Sequence, residues 1–335
     1  MEESPASSFW RAPAATVANP PAAEPLELAS AAEALRFAQR LIVRSFCLAA
    51  RRGALPLADP VPKAWVSSSR FSGPGAKLRH PVQDASGVVH LALVLLRKHS
   101  PFLQCVSPAC ESSLTFESRV LAAAVLFVAY KLVSTEPHFK HESSLQVLLA
   151  TVLLPNETPK TAAQWNVLRT QQFTLEASIV LRMPLLTIYC SSAFYQAEKH
   201  LQIVLDEGLV SRNNFVAMLG ALGFLLNSAE MYPSTAVLLD LEAGGVDSND
   251  IGAGAAAALF ACLCAATLQP GHRYQPPTDV DVALAALAIL EAAIQSDDYL
   301  RVGPYELGCP DEPVKRLVHP PTLREAKELL AQADA

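Results

Sequence analysis

The sequence predicts an all-α protein built from two similar helical bundles in tandem. Of its 335 residues, 51% are hydrophobic and 7% aromatic, and its apolar runs are rich in Ala, Leu, Val and Ile. No stretch of useful length alternates polar and apolar residues as a half-buried strand does. Two Ala-rich segments, Leu121–Glu136 and Ile251–Leu268, are apolar around almost every helical face. A helix of this kind must be buried, so each segment is expected to be the central helix of a bundle.

Turn residues and helical periodicity divide the rest of the chain into further helices. Prolines at 101, 108, 137, 155 and 159 separate the elements of the first half, and Pro184 closes it. Ser30, with Glu33 three residues on, predicts a capping box at the start of the first helix. The predicted helices are Ala29–Arg52, Val82–Lys98, Phe116–Val133, Ser143–Leu153, Thr161–Val180, Leu186–Glu207, Asn213–Met231, Ile251–Leu268, Val280–Ser296 and Thr322–Ala333.

These elements predict four parts of the chain. Residues 1–28, rich in Pro, Ala and Ser, are expected to be disordered. Residues 29–184 form the first bundle with a loop insertion at 54–80, and residues 185–300 form the second. Residues 301–335 are a Pro-rich tail with a short helix. A weak sequence similarity between the two halves, in which Phe127 corresponds to Phe260, favours two similar bundles.

Composition excludes some classes of function. The formal net charge is -6 and there is no long basic block, so direct nucleic-acid binding is not expected. The seven cysteines are scattered and odd in number, which favours reduced thiols inside the cell. The uncharged stretch Ile251–His272 is long enough to span a bilayer, but its Ala and Gly contribute little to insertion. A buried core helix is the preferred interpretation, and no membrane partner is expected.

No catalytic motif is visible in the chain. The nucleophile elbow, the phosphate-binding loop and the zinc-protease pattern are all absent from the sequence. Cys105, Cys110, His138 and His141 could supply soft ligands, but their spacing is irregular for a structural zinc site. We therefore expect no metal, no cofactor and no enzymatic activity.

The segment Ala122–Pro137, AAAVLFVAYKLVSTEP, resembles the third helix of a cyclin box. Val167–Pro184 is similar to the fifth helix and its exit, and Asp250–Ala266 is similar to the central helix of the second repeat. The resemblance covers Ala29–Ser296 and is closer to cyclins of transcription and RNA processing than to cell-cycle cyclins. It implies an all-α fold of two tandem cyclin-like helical bundles.

The resemblance also implies a function and a set of contact residues. The chain would be a regulatory subunit that binds and activates a cyclin-dependent serine/threonine kinase as a heterodimer, in the nucleus or in nucleus and cytoplasm. In the family a lysine on the third helix contacts the kinase, and a glutamate on the fifth helix supports it. Lys131 matches that lysine, with Tyr130 and Glu136 expected to contribute to the same surface.

The position that aligns with the family's glutamate holds Gln171, which can accept a hydrogen bond but forms no ion pair. Glu176 lies five residues further on, and at ~100° per residue it is well round the helix. Gln171 is therefore the expected neighbour of Lys131. This departure leaves a second hypothesis open, a non-activating cyclin-fold scaffold in a transcription complex.

Overall fold

The computed structural model describes residues 25–51, 81–107, 111–133, 141–231, 245–267, 280–295, 314 and 316–333. The loop insertion predicted at 54–80 lies outside these residues. So do residues 1–24 of the segment predicted to be disordered and the tail up to residue 313.

The described part of the chain is helical, as predicted. Outside the helices it contains two short 3-10 turns, Ser100–Phe102 and Glu111–Ser113, and one isolated antiparallel bridge between Cys105 and Leu114. The helices are α1 Pro25–Arg51, α2 Pro81–Lys98, α3 Phe116–Val133, α4 His141–Val152, α5 Ala162–Arg182, α6 Leu185–Cys190, α7 Ala193–Asp206, α8 Arg212–Met231, α9 Ser248–Thr267, α10 Val280–Gln295 and α11 Pro320–Ala333.

The first helix begins earlier than the sequence-based expectation. Because α1 begins at Pro25, Ser30 lies inside the helix, and the capping box expected at Ser30 and Glu33 is wrong. A proline at the first helical position costs no hydrogen bond, since that N–H has no intrahelical partner. A capping box is present instead on α5, where the Thr161 side chain accepts from the Gln164 backbone N–H.

The single helix predicted over Leu186–Glu207 is in fact two helices, α6 and α7. The chain leaves the helical conformation at Ser192, which has φ -72° and ψ 147°. Its hydroxyl oxygen accepts a hydrogen bond from the Tyr195 backbone N–H, at 3.3 Å. Ser192 is therefore the N-cap of α7, a role that serine fills well because its short side chain reaches the unpaired N–H groups of the first turn.

The first of two compact units comprises the described residues of 25–51, 92–132 and 141–184. Its central element is α3, in which every residue except Glu117, Lys131 and Leu132 is buried. Helix α1 packs against α4 and against both 3-10 turns. A buried ion pair links the first turn of α3 to the segment after α4: Arg119 Nε and Nη2 donate to the two carboxylate oxygens of Glu157, at 2.9 and 2.6 Å.

The second unit comprises the described residues of 81–91, 133, 185–231, 245–267, 280–295, 314 and 316–333. Helix α9 is its centre and packs against α7, α8, α10 and α11. Every residue from Ile251 to Leu263 is buried. Glycine permits a close approach of two backbones: a Cβ at Gly252 would lie 2.7 Å from the backbone nitrogen of Ala197 on α7. The buried Ala-rich helix predicted for this half is confirmed.

Two helices are long and apolar enough to cross a bilayer by length and composition. They are α8 and α9, and 83% and 78% of their most apolar windows are buried inside the fold. Core helices of soluble proteins pass the same test, so these two helices are weak evidence for a membrane protein.

Candidate functional site

The last turn of α3 and the middle of α5 meet at an ion pair. Lys131 Nζ donates to Glu176 Oε2 at 2.6 Å, across a separation of 45 residues in the chain. The two side chains differ in burial: Glu176 is 7% exposed and Lys131 is 35% exposed. The carboxylate therefore belongs to the core, whereas the ammonium group reaches the surface.

Two further side chains hold this pair. Gln172, one turn before Glu176 on α5, donates from Nε2 to Glu176 Oε1 at 3.1 Å. The ammonium of Lys131 also lies over the ring of Phe127, 4.7 Å from its centroid, where a cation is attracted to the face of the ring. Both oxygens of Glu176 are thus occupied, and Lys131 is held from two directions.

The helical period of α5 explains why Glu176 is the acid that pairs with Lys131. The buried side of α5 consists of Leu168, Gln172, Glu176 and Ile179, spaced by three or four residues as one helical face requires. Gln171 lies next to this face and is half-buried, and the predicted contact between Gln171 and Lys131 is replaced by the ion pair with Glu176. The expectation that Glu176 points away from Lys131 is wrong. The rotation around the helix was counted from Gln171, which does not belong to the buried side of α5.

The other two residues predicted for this surface have different outcomes. Tyr130 is 2% exposed and lies in the core, so it supports the packing of α3 and presents no surface to a partner. Its prediction as a contact residue is inconsistent with this burial. Glu136 lies outside the described residues.

Apolar side chains surround the ion pair on the solvent side of α5. Phe173 is 42% exposed and Val180 is 53% exposed. At ~100° per residue both lie within about 60° of Glu176 around the helix axis. Leu181, in the last turn, is exposed as well. Apolar residues that stay exposed while polar Gln172 and Glu176 are buried invert the usual arrangement of a surface helix. Leu181 lies about 140° from Glu176 around the axis, so we call only Phe173 and Val180 the α5 apolar face.

The site presents hydrogen-bond donors and apolar side chains to solvent. Lys131 and Glu176 together carry no net charge, so they suit a dipolar group better than a free anion. An ammonium has three N–H donors, and the exposed fraction of Lys131 allows the others to reach a partner. The neighbouring α5 apolar face can contribute hydrophobic contact area.

The described residues contain no group of three or more His, Cys, Asp or Glu side chains that could hold a metal ion. Of the four residues considered for zinc, Cys105 is half-buried, and Cys110 and His138 lie outside the described residues. The side chain of His141, at the start of α4, is also outside them.

Comparison of the chain with protein-family models, with curated proteins and with solved structures found no match. The functional interpretation therefore depends on the residues and on their geometry.

Proposed function

We propose that this protein is a cyclin-like regulatory subunit that binds and activates a cyclin-dependent serine/threonine kinase, acting in the nucleus in transcription or RNA processing. The proposal includes a fold of two tandem cyclin-like bundles. It assigns no catalytic residue to this chain.

The observation that carries the proposal is the ion pair between Lys131 and Glu176. The sequence resemblance requires a lysine at the end of the third helix, supported by a glutamate on the fifth helix. The resemblance alone left this glutamate unmatched. In the structure Lys131 has such a partner at 2.6 Å, on the helix where the family places it. The α5 apolar face lies beside the pair, and the exposure of Phe173 and Val180 supports the proposal that a partner binds there.

The mechanism proposed is a shift of population in the kinase. Kinases need a Lys–Glu pair in their own active site to position the ATP phosphates, and that pair forms only when a regulatory helix is turned inward. A rigid surface that binds the inward conformer more tightly raises its population. Lys131, fixed by Glu176 and Phe127 before the partner arrives, would bind with little loss of side-chain entropy.

The departure at Gln171 slightly favoured the second hypothesis, a non-activating scaffold in a transcription complex. The pairing of Lys131 with Glu176 weakens that argument. The activating function is therefore the better supported of the two.

The test is binding and activation of purified kinases. The purified full-length chain is incubated with each of a panel of monomeric cyclin-dependent kinases, and complex formation and phosphorylation of a protein substrate are measured. We expect one or a few kinases to bind and to be activated. Lys131→Ala should weaken that binding by ~2–5 kcal/mol, because the partner's acceptors are left unpaired.

Lys199→Ala is a matched control. Lys199 lies over the ring of Tyr195 at 4.7 Å, the distance at which Lys131 lies over Phe127, but it belongs to α7 in the other unit. We expect this variant to bind as wild type does. Binding without activation would support the scaffold, and equal loss in both lysine variants would contradict a specific role for Lys131.

A further inference from the structure

We propose that Gln172 is a positioning residue that fixes Glu176, and through it Lys131, in the geometry needed for partner binding. The inference deepens the proposed function and rests on it. Nothing in the resemblance to cyclins singles out this position. The claim concerns how the ion pair is held and which side chain holds it.

The first argument is the hydrogen bond itself. Gln172 Nε2 donates to Glu176 Oε1 at 3.1 Å, while Lys131 donates to the other oxygen, Oε2, at 2.6 Å. A carboxylate with a donor on each oxygen cannot rotate without breaking one of these bonds. Without Gln172 the carboxylate would be free to turn, and the position of the Lys131 ammonium would vary with it.

The second argument is the cost of placing an amide at this position. Gln172 is fully buried, and among the residues that the structure describes its carbonyl oxygen Oε1 has no hydrogen-bond partner. The orientation of the amide is fixed, because turning it over would direct the carbonyl oxygen at the Glu176 carboxylate. A buried acceptor without a donor destabilises the fold. The unpaired carbonyl of Gln172 is thus unfavourable for packing, whereas its amide N–H is favourable for holding Glu176.

The third argument is a comparison within the chain. Gln202 on α7 makes the same kind of bond four residues along its helix, from Nε2 to Asp206 Oδ1 at 2.9 Å, but that bond is exposed to solvent. An exposed pair of this kind adds little to a helix. The buried pair on α5 differs because its acid is also the partner of Lys131. Gln202 therefore provides a matched control for an i,i+4 Gln–acid bond without a role in the site.

The experiment measures the exposure of the Lys131 amine in the full-length protein without any kinase. Wild type, Gln172→Met and Gln202→Met are treated with a limiting amount of acetic anhydride, and acetylation of Lys131 is followed by mass spectrometry of its peptide. Methionine has nearly the shape of glutamine but no donor. We expect Gln172→Met to speed acetylation of Lys131 by about threefold to tenfold, a factor typical of lost coupling between neighbouring groups. Gln202→Met should leave the rate unchanged.

A second measurement excludes a merely structural role. In a Glu176→Met background, which removes both acceptor oxygens at this position, the Gln172→Met change should have no further effect on the acetylation rate, because the carboxylate that Gln172 positions is gone. Melting temperature should change little in Gln172→Met, since removal of the orphan Gln172 carbonyl offsets the loss of the donor to Glu176 Oε1. An unchanged acetylation rate in Gln172→Met, or an equal effect of Gln172→Met in both backgrounds, overturns the inference.

The kinase panel then separates this inference from the proposed function. If Lys131→Ala weakens kinase binding and Gln172→Met does not, the positioning role in binding is wrong and the proposed function stands. If the wild-type chain binds and activates no kinase of the panel, the proposed function is wrong, whereas unchanged binding by Lys131→Ala would show only that Lys131 is not the contact. Faster acetylation in Gln172→Met would in that case still establish that Gln172 holds the pair.

Discussion

Lys131 and Glu176 are separated by 45 residues in the chain, yet Lys131 Nζ lies 2.6 Å from Glu176 Oε2. The pair joins the end of α3 to the buried side of α5. Because Glu176 is almost fully buried and Lys131 is about one-third exposed, the acid serves as an anchor for a surface cation. A cation held in this way is a good contact residue, since its orientation is set before a partner binds.

The first prediction separates Glu176 from Gln171, the residue that the resemblance to cyclins favoured. Glu176→Gln should weaken kinase binding and lower the free energy of unfolding by about 1–3 kcal/mol, because the buried acceptor of the Lys131 hydrogen bond loses its charge. Gln171→Glu should change neither quantity much, since Gln171 lies beside the buried stripe. Urea unfolding and the kinase binding assay measure the two effects. A larger loss in Gln171→Glu than in Glu176→Gln would show that the α5 assignment is wrong.

The helical elements could be predicted from sequence because their signals are local. Phe116–Val133 was predicted with both ends correct, since Ala and bulky apolar residues cover all its faces. The helix predicted over Leu186–Glu207 was not resolved into α6 and α7, because one N-cap serine interrupts an otherwise continuous apolar pattern. A helix start depends on the backbone conformation of a single residue, and amino-acid composition predicts that conformation poorly.

The site could be predicted only in part, because a pair distant in sequence depends on helix rotation. Lys131 was identified from its place at the end of an apolar helix. Glu176 was missed because the buried stripe of α5 contains polar Gln172 as well as apolar Leu168 and Ile179, which hides its period. Leu168, Gln172 and Glu176 follow one another at intervals of four residues, and this interval identifies Glu176 as a member of the buried side. The exposure of Phe173 and Val180 was not evident from the sequence.

The second prediction concerns the α5 apolar face. Val180→Glu places a charge where we expect an apolar contact with the kinase, and it should weaken binding at least tenfold, equivalent to about 1.4 kcal/mol. Stability should change little because Val180 is 53% exposed. Ile203→Glu on α7 is the control, since Ile203 is 51% exposed and belongs to the other unit. Equal binding of both variants would remove the α5 apolar face from the proposed interface.

The third prediction concerns the buried ion pair of Arg119 and Glu157. Glu157 Oε2 also accepts from the Leu154 backbone N–H at 3.0 Å, so the carboxylate organises the turn after α4. Arg119→Met should lower the free energy of unfolding by about 3–5 kcal/mol, because it leaves a buried charge uncompensated.

Lys327→Met is the control for this variant. Lys327 pairs with Glu291 at 2.5 Å, but both side chains are more than one-third exposed. Its loss should cost about 0–1 kcal/mol, as for other exposed ion pairs. Urea denaturation of both variants measures the difference. Similar losses in the two would show that the Arg119 pair is as solvated as the surface pair.

The fourth prediction compares two glycines of α9. A Cβ at Gly252 would meet the Ala197 backbone nitrogen at 2.7 Å, so Gly252→Ala forces α7 and α9 apart. A Cβ at Gly254 would first meet a side-chain methyl group, Val282 Cγ1, at 2.5 Å. Overpacking costs roughly 1–3 kcal/mol, partly offset by the better helix propensity of Ala. Gly252→Ala should therefore lower the melting temperature more than Gly254→Ala does, and the reverse order would contradict the close contact of α7 with α9.

The fifth prediction is a pH dependence set by Cys262. Burial raises the pKa of its thiol from 9.0 to about 12. At a pH between these two pKa values, the unfolded chain has lost the thiol proton and the folded chain still holds it. Because the folded state binds more protons, the free energy of unfolding falls as pH rises. The stability contributed by the neutral thiol is complete below pH 9.0 and is lost as pH approaches 12.

Urea unfolding of wild type and Cys262→Ala at a series of pH values above 9.0 measures this contribution. Other groups titrate in the same range, but they are common to both proteins, and so the difference in slope isolates Cys262. Alanine suits the site because α9 is already rich in buried Ala. The stability of the variant should fall less steeply with pH than that of wild type, and parallel slopes would mean that Cys262 reaches solvent before the chain unfolds.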